Sequence, residues 1–271
     1  MNYENVMYET RDGVGLLTLN RPEVLNSLNV PLMDEIFDVL NRVAEDPATR
    51  VLVMTGAGKA FCSGADLAPS WGPGGTPDGP NSSVGEAVSD KMKTHFNPLV
   101  MAIYRLEKPV IAAVNGVTAG GGVGMALTAD MVIAARSAYF VQVFGPKLGI
   151  VPDMGTTWHL PRLLGRARSL GLAFLGDRLP ADQAAEWGLI WKCVDDESLM
   201  DEVMAVAQKL AQGPTKAYGY IKKAFSESDR NNLEEQLDFE RQCQLVLCDG
   251  NDFIEGVGAF MEKRKPNFKG Y

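Results

Sequence analysis

Little in this sequence would serve metal or disulfide chemistry. Its four cysteines (Cys62, Cys193, Cys243, Cys248) show no CxxC spacing, and the two histidines, His95 and His159, lie far apart. Such a set argues against a zinc site. Long apolar runs are missing too. None approaches the roughly 18 residues of a membrane-spanning helix, and the longest are broken by Asn115 and Asp130. The first residues, Met-Asn-Tyr-Glu-Asn, have neither a basic nor an apolar leader segment, so no secretory signal is expected. Positive charge is in deficit: 26 Lys and Arg against 34 Asp and Glu leave a net charge of −8. That balance argues against a nucleic acid or an anionic membrane as partner, although a phosphate-bearing ligand needs only a few local cations. A cytoplasmic protein in a reducing compartment is the expectation.

The 271 residues, 46% hydrophobic and 22% charged, suffice for a large core. The first half alternates strand and helix signals. Val14–Leu19, Val51–Thr55, Val110–Val114 and Met131–Ala135 read as strands, with helices over Pro31–Val43 and about Val88–Leu106. Strands separated by helices imply parallel units and an α/β fold. Between them, Ala68–Gly85 is rich in Pro, Gly and Ser and reads as a long loop. Beyond Gly155 the strand signal nearly vanishes, save Ile190–Val194. Helical patterns fill Glu197–Ala211, Thr215–Glu227, Leu233–Leu247 and Phe253–Glu262. The expected division is an α/β core over residues 1–195 and a helical region over 196–271. No internal repeat of fixed period is visible.

After the strand Val110–Val114 come Asn115-Gly116 and the glycines Gly120, Gly121, Gly122 and Gly124, leading into an apolar helix. Glycines let the backbone approach a ligand, and the first turn of a helix has N–H groups without intrahelical partners. Such a turn suits an oxygen that gains negative charge during a reaction. The run does not match nucleotide-binding patterns: Met125 stands where the dinucleotide fingerprint needs Gly or Ala, and Gly56-Ala-Gly58-Lys59 lacks the rest of a P-loop. No Asp, Glu, His, Lys, Ser or Cys lies between Gly120 and Leu127. A second small-residue turn, Phe61-Cys-Ser-Gly-Ala-Asp-Leu67, also follows a buried strand. Two such turns can converge two backbone N–H groups on one carbonyl oxygen.

Several motifs in order along the chain resemble the enoyl-CoA hydratase/isomerase (crotonase) superfamily. They are Asn20-Arg-Pro-Glu23 with Asn26-Ser-Leu28, Phe61 to Asp66, Lys108-Pro-Val-Ile-Ala112, Asn115-Gly116 with Gly120-Gly-Gly122, Leu148-Gly-Ile-Val-Pro152 and Glu262-Lys-Arg-Lys265. The resemblance implies a spiral of ββα units, a helical C-terminal trimerisation region, and homotrimers or hexamers built as dimers of trimers. It implies an acyl-CoA thioester as substrate, with the N–H groups of Ala65 and Gly121 as the oxyanion hole. Coenzyme A would lie along Ala65, Asp66 and Leu67, with help from Phe260 and Lys263. Coenzyme A belongs to the substrate, so no metal or other cofactor is implied.

The acid–base groups depart from the hydratases of the family. Their two glutamates fall at Gly124 and at about Gly145 here, and adding water to a double bond draws on two such carboxylates. Asp153, in Pro152-Asp153-Met154-Gly155, stands where double-bond-shifting members have an Asp. Its plainer reading is a cap for the helix beginning near Gly155. One carboxylate suffices for isomerisation: it takes a proton from one carbon, the oxyanion hole holds the enolate, and the acid returns the proton elsewhere. Burial would raise its pKa and the helix N-terminus would lower it. Leu160–Arg168 and Ala181–Trp191 resemble most the ring-epoxide branch, which turns 1,2-epoxyphenylacetyl-CoA into the oxepin ester. The expected reaction is this, or the shift of a 3-enoyl- to a 2-enoyl-CoA. The alternatives are a hydratase using Asp153 with Asp78 or Glu86, and a non-catalytic acyl-CoA-binding subunit. Arg162, Arg166 and Arg168 could meet phosphates or be solvated helix charges; Cys62 is a poor nucleophile for want of a base.

Overall fold

A computed structural model of the chain describes residues 3–67 and 83–271; residues 68–82, most of the expected loop and including Asp78, lie outside them. The chain opens with a hairpin. Strands β1 (Val6–Arg11) and β2 (Val14–Leu19) pair antiparallel across Asp12 and Gly13, whose φ values of +52° and +81° suit a two-residue turn. From β2 the sheet continues in parallel through β3 (Val51–Gly56), β5 (Val110–Val114), β7 (Met131–Ala135) and β10 (Lys192–Val194). A second sheet runs β4 (Ala60–Cys62), β6 (Val117–Ala119), β8 (Tyr139–Val141) and β9 (Arg178–Pro180).

Three times the chain makes a strand in the first sheet, bends into a short strand of the second, and then forms a helix. The pairs are β3–β4, β5–β6 and β7–β8. They lead into α2 (Val84–Lys91) with α3 (Asn97–Arg105), into α4 (Gly121–Thr128), and into α5 (Thr156–Leu175). This is the spiral of ββα units that the resemblance implied. It has no fixed period because β3, β5 and β7 begin at residues 51, 110 and 131, so insertions of different length hide the repeat. The second sheet was not expected from sequence. Its strands are three residues long, too short to show an alternation.

Burial explains the elements. Every residue of β3 and β5 is buried, as strands covered on both faces require. Helix α1 (Val30–Glu45) buries Leu32, Met33, Ile36, Val39, Leu40 and Val43 on one face, and Asn29 caps it by accepting the Leu32 N–H at 2.9 Å. Helix α4 is apolar all round and wholly buried. The expected helix at Val88 starts earlier, at Val84, because Ser83 and Glu86 form a reciprocal capping box. Helix α7 (Leu199–Ala211) lays Leu199, Val203, Ala207 and Ala211 onto the sheet. Helices α8 (Thr215–Ser228), α9 (Leu233–Cys248) and α10 (Asn251–Glu262) follow, and the C-terminal tail returns along them. The Asp252 carboxylate accepts the N–H groups of Lys269 at 2.6 Å and Gly270 at 2.8 Å, and Arg50 donates to the Phe268 carbonyl at 3.3 Å.

Candidate active site

The turn after β4 is braced from the segment between β2 and α1. A parallel bridge joins Leu28 to Ala65: the Leu28 N–H donates to the Gly64 carbonyl at 2.8 Å, and the Asp66 N–H to the Leu28 carbonyl at 2.9 Å. Because backbone groups alternate in direction along an extended segment, the Ala65 N–H points away from that bridge. Asn26, fully buried, accepts the Arg21 N–H and donates to the carbonyls of Ala57 (3.0 Å) and Ala60 (2.8 Å). Arg21 reaches the Asp66 carboxylate at 2.9 Å, with both side chains under a fifth exposed. The Asn20-Arg21-Pro22 and Asn26-Ser27-Leu28 motifs thus hold the turn from below. Sequence reasoning missed this bracing, and the paired motifs were its only signal. Leu67 is exposed.

The second turn enters α4 through Gly120, at φ +51° and ψ −126°. Gly121 opens the helix, so its N–H has no intrahelical acceptor, and the helix dipole adds partial positive charge there. The two turns touch. A β-carbon built on Gly64, itself at φ +93°, would lie 3.1 Å from the Gly121 nitrogen and 3.0 Å from the Ala119 carbonyl oxygen. Only glycine fits that contact, and it sets the Ala65 and Gly121 amides on neighbouring turns.

Asp153 comes to the same place from the start of α5. A β-carbon at Gly121 would lie 3.3 Å from Asp153 Oδ1. The carboxylate does not cap the helix. Gly155 is the N-cap with no side-chain bond, and it is the main-chain carbonyl of Asp153 that accepts the Thr156 N–H at 2.9 Å. Met154, at φ +53°, holds a left-handed conformation that costs a non-glycine residue about 1–2 kcal/mol. Oδ1 is sealed from solvent and, among the described residues, accepts no hydrogen bond. Burial pushes the Asp153 carboxyl up to about 6, outweighing the smaller lowering by a hydrogen bond from its own backbone N–H.

The two positions where the resemblance expected hydratase glutamates are closed to side chains. A β-carbon on Gly124 would stand 2.2 Å from the Met154 carbonyl oxygen, and one on Gly145 would stand 2.8 Å from the Ala173 carbonyl oxygen. Glu86 does not face the site as a base; its carboxylate accepts the Ser83 N–H at 2.8 Å in the capping box. Beside Pro152 and Thr156 opens a cavity of about 530 Å³, walled by Ile150, Val151, Leu160 and Phe174.

Other candidates are placed in structural roles. Burial lifts the Cys62 thiol to about 12, which leaves no thiolate at neutral pH. His159 is buried and held down to about 4, with Nε2 3.2 Å from the Thr128 hydroxyl. His95 faces Asp34 at 4.0 Å. Arg162 stacks on Trp158 at 4.1 Å and Arg168 on Trp187 at 4.7 Å; a break at Gly165 separates them, and Arg166 lines the cavity. Phe96, Leu99 and Ile103 are core. Phe260, 82% exposed, and Lys263, which ends α10, are not brought to the Ala65 turn within this chain; Phe260 instead borders a groove with Phe253, Val257 and Tyr271. No cluster of metal-ligating side chains occurs among the described residues, and none of their helices is long and apolar enough to cross a membrane.

The stacked sheets, the two touching turns and the carboxylate beside them belong to one class, and the chain is a member of the enoyl-CoA hydratase/isomerase family, whose model matches residues 9–271. Among its relatives, 1,2-epoxyphenylacetyl-CoA isomerase of Escherichia coli is 47% identical over 98% of this chain and 99% of its own. Crotonyl-CoA hydratase of Syntrophomonas wolfei is 36% identical over 99% of each. The crystal structure of enoyl-CoA hydratase from Bacillus anthracis superimposes with a TM-score of 0.88 at 34% identity, covering 99% of this chain and 100% of that one. The family relation therefore spans isomerases and hydratases alike.

Proposed function

We propose that this protein is an acyl-CoA isomerase. The thioester oxygen accepts hydrogen bonds from the N–H groups of Ala65 and Gly121, and Asp153 moves the proton. As a carboxylate, Asp153 takes a proton from one carbon of the acyl group. The electron pair spreads into an enolate whose oxygen the two amides hold, each donor lowering the barrier by about 2.7–4 kcal/mol. The protonated acid then returns the proton to a different carbon, so substrate and product have the same composition. The observation that carries this reading is the pair of closed positions: Gly124 and Gly145 have no room for a second carboxylate, while Asp153, whose Oδ1 accepts no hydrogen bond among the described residues, stands beside the oxyanion turn.

The substrate is 1,2-epoxyphenylacetyl-CoA: the ring carbon–carbon bond shared with the epoxide opens as its electrons join the ring π system, and a proton moves from the carbon next to the thioester to a ring carbon, giving the oxepin ester; 3-enoyl-CoA to 2-enoyl-CoA is the proton shift alone. The E. coli relative supports the first assignment. Coenzyme A runs along the Ala65–Leu67 edge. A homotrimer or a dimer of trimers would cover apolar residues left exposed on the C-terminal helices, among them Phe225, Leu233, Ile254 and Phe260, and would bring a neighbour's Phe260 and Lys263 to bear on the nucleotide. Incubating the protein separately with 1,2-epoxyphenylacetyl-CoA, 3-hexenoyl-CoA and crotonyl-CoA tests the assignment. Isomerisation of either of the first two, with no hydration of crotonyl-CoA, is expected. Rapid hydration of crotonyl-CoA would make the protein a hydratase, and tight binding without turnover of all three a binding subunit.

A further inference from the structure

We propose that Met154 is a specificity-determining residue: its side chain closes the groove on α4 beside Asp153, so that the proton Asp153 picks up is returned to the substrate rather than lost to water. The inference rests on the isomerase reading above and adds a residue that decides the fate of the proton.

Three contacts place the side chain. Gly121 and Gly124 are three residues apart on α4, so they share one face of the helix. A β-carbon on Gly121 would meet Met154 Cγ at 2.9 Å, and one on Gly124 would meet Met154 Cβ at 2.7 Å. Met154 therefore lies across both glycines, filling the groove that their missing side chains leave. It is 2% exposed. The point 2.9 Å from its Cγ is also the point 3.3 Å from Asp153 Oδ1, so thioether stem and carboxylate flank one spot on the helix. Oδ1 itself is sealed.

The chemistry of the residue fits the role. A thioether carries no exchangeable proton and is a weak acceptor, so it neither relays a proton nor anchors a water. A left-handed φ at a methionine persists only where its surroundings fix it, and the side chain of Met154, at φ +53°, packs against both glycines. The step stays balanced: the C2–H bond breaks, its electrons enter the enolate, the proton resides on Asp153, and a new C–H bond forms at C4 as the carboxylate is regenerated.

The test follows a label. 3-Hexenoyl-CoA carrying deuterium at C2 is converted in ordinary water, and the deuterium found at C4 of the 2-enoyl product is measured by mass spectrometry. The wild type is expected to carry about half or more of the label across, and Met154→Ala about five-fold less, since opening the groove admits water to the acid. Met154→Leu, of similar bulk, should keep the label. Met154→Gly suits the left-handed backbone and guards against misfolding; it should lose the label as the alanine variant does. Wild-type retention in both the alanine and glycine variants overturns the proposal, as does complete washout in the wild type. A wild type that isomerises neither this ester nor the ring epoxide instead overturns the isomerase reading, and this inference falls with it.

Discussion

The two halves of the proposed site, its oxyanion turn and its acid–base group, are built in opposite ways. The oxyanion half is made of main chain: Ala65 and Gly121 present N–H groups whose positions follow from a parallel bridge, a buried asparagine and a glycine contact. Gly121 loses little by being there, because a helix start leaves its N–H groups unpaired anyway. The proton-transfer half is made of one side chain held where it is uncomfortable. Asp153 is desolvated and its neighbour Met154 is strained, so this half draws on stability gathered elsewhere in the fold. Charge can be received by geometry alone, whereas moving a proton near neutral pH needs a group displaced from its ordinary pKa.

The comparison can be broken on either side. The largest effect is expected from Asp153→Asn, which removes the base but not the donors: kcat should fall by about 10³–10⁴ with the affinity for an acyl-CoA product nearly unchanged. Product binding by calorimetry separates the two, and a variant with normal kcat would remove Asp153 from the mechanism. Gly64→Ala attacks the other half. Its β-carbon must push apart the turns that now meet at 3.1 Å, and kcat should drop by about 10² with its pH profile intact.

The wild-type pH profile sharpens the contrast further. With Asp153 at about 6, the rate should fall steeply below that pH, and a profile flat down to pH 4.5 would contradict the assignment.

Stability moves the other way. The folded pKa of about 6 lies above the ordinary value of 3.8, so both states hold the proton at low pH and folding carries no penalty there. As pH rises between the two values the unfolded chain ionises first, and above about 6 the full cost is present. Asp153→Asn should therefore stabilise the protein by about 2–3 kcal/mol at pH 8, with the gain gone below pH 4, as thermal melts across that range would show. The smallest effect belongs to Arg162→Ala. Its ion pair with Asp229, 3.4 Å long between side chains 43% and 38% exposed, and its stack on Trp158 should together cost under about 1 kcal/mol, with KM for the CoA ester unchanged. A marked rise in KM would restore Arg162 to phosphate binding.

Much of the fold was legible where periodicity is long and burial two-sided. Strands β2, β5 and β7 fall on the residues read from sequence, and α1 and α7–α10 lie within a few residues of their expected ends. What escaped was β1, an edge strand with mixed exposure, and the short strands β4, β6, β8 and β9, whose existence depends on pairing rather than on local pattern. At the site, two small-residue turns suggested converging amides, but only the family resemblance singled out Ala65 and Gly121. Asp153 was ambiguous because an Asp after Pro also reads as a cap; the main chain at Thr156 bonds its carbonyl, so its carboxylate is not a cap. The role of Met154 was invisible, since no residue type announces a left-handed methionine.

Gly124 has a bearing on how such enzymes diverge. A glutamate cannot simply be placed there, because its first side-chain carbon would stand 2.2 Å from the Met154 carbonyl oxygen, and at Gly145 it would stand 2.8 Å from that of Ala173. The two obstructing carbonyls sit at either end of the stretch from the Pro152 turn through α5. A lineage that exchanged proton relocation for water addition would have to rebuild that stretch before either carboxylate could be accepted. On the proposed reading, the step from proton relocation to water addition is therefore a change of backbone path around α5 rather than of two side chains.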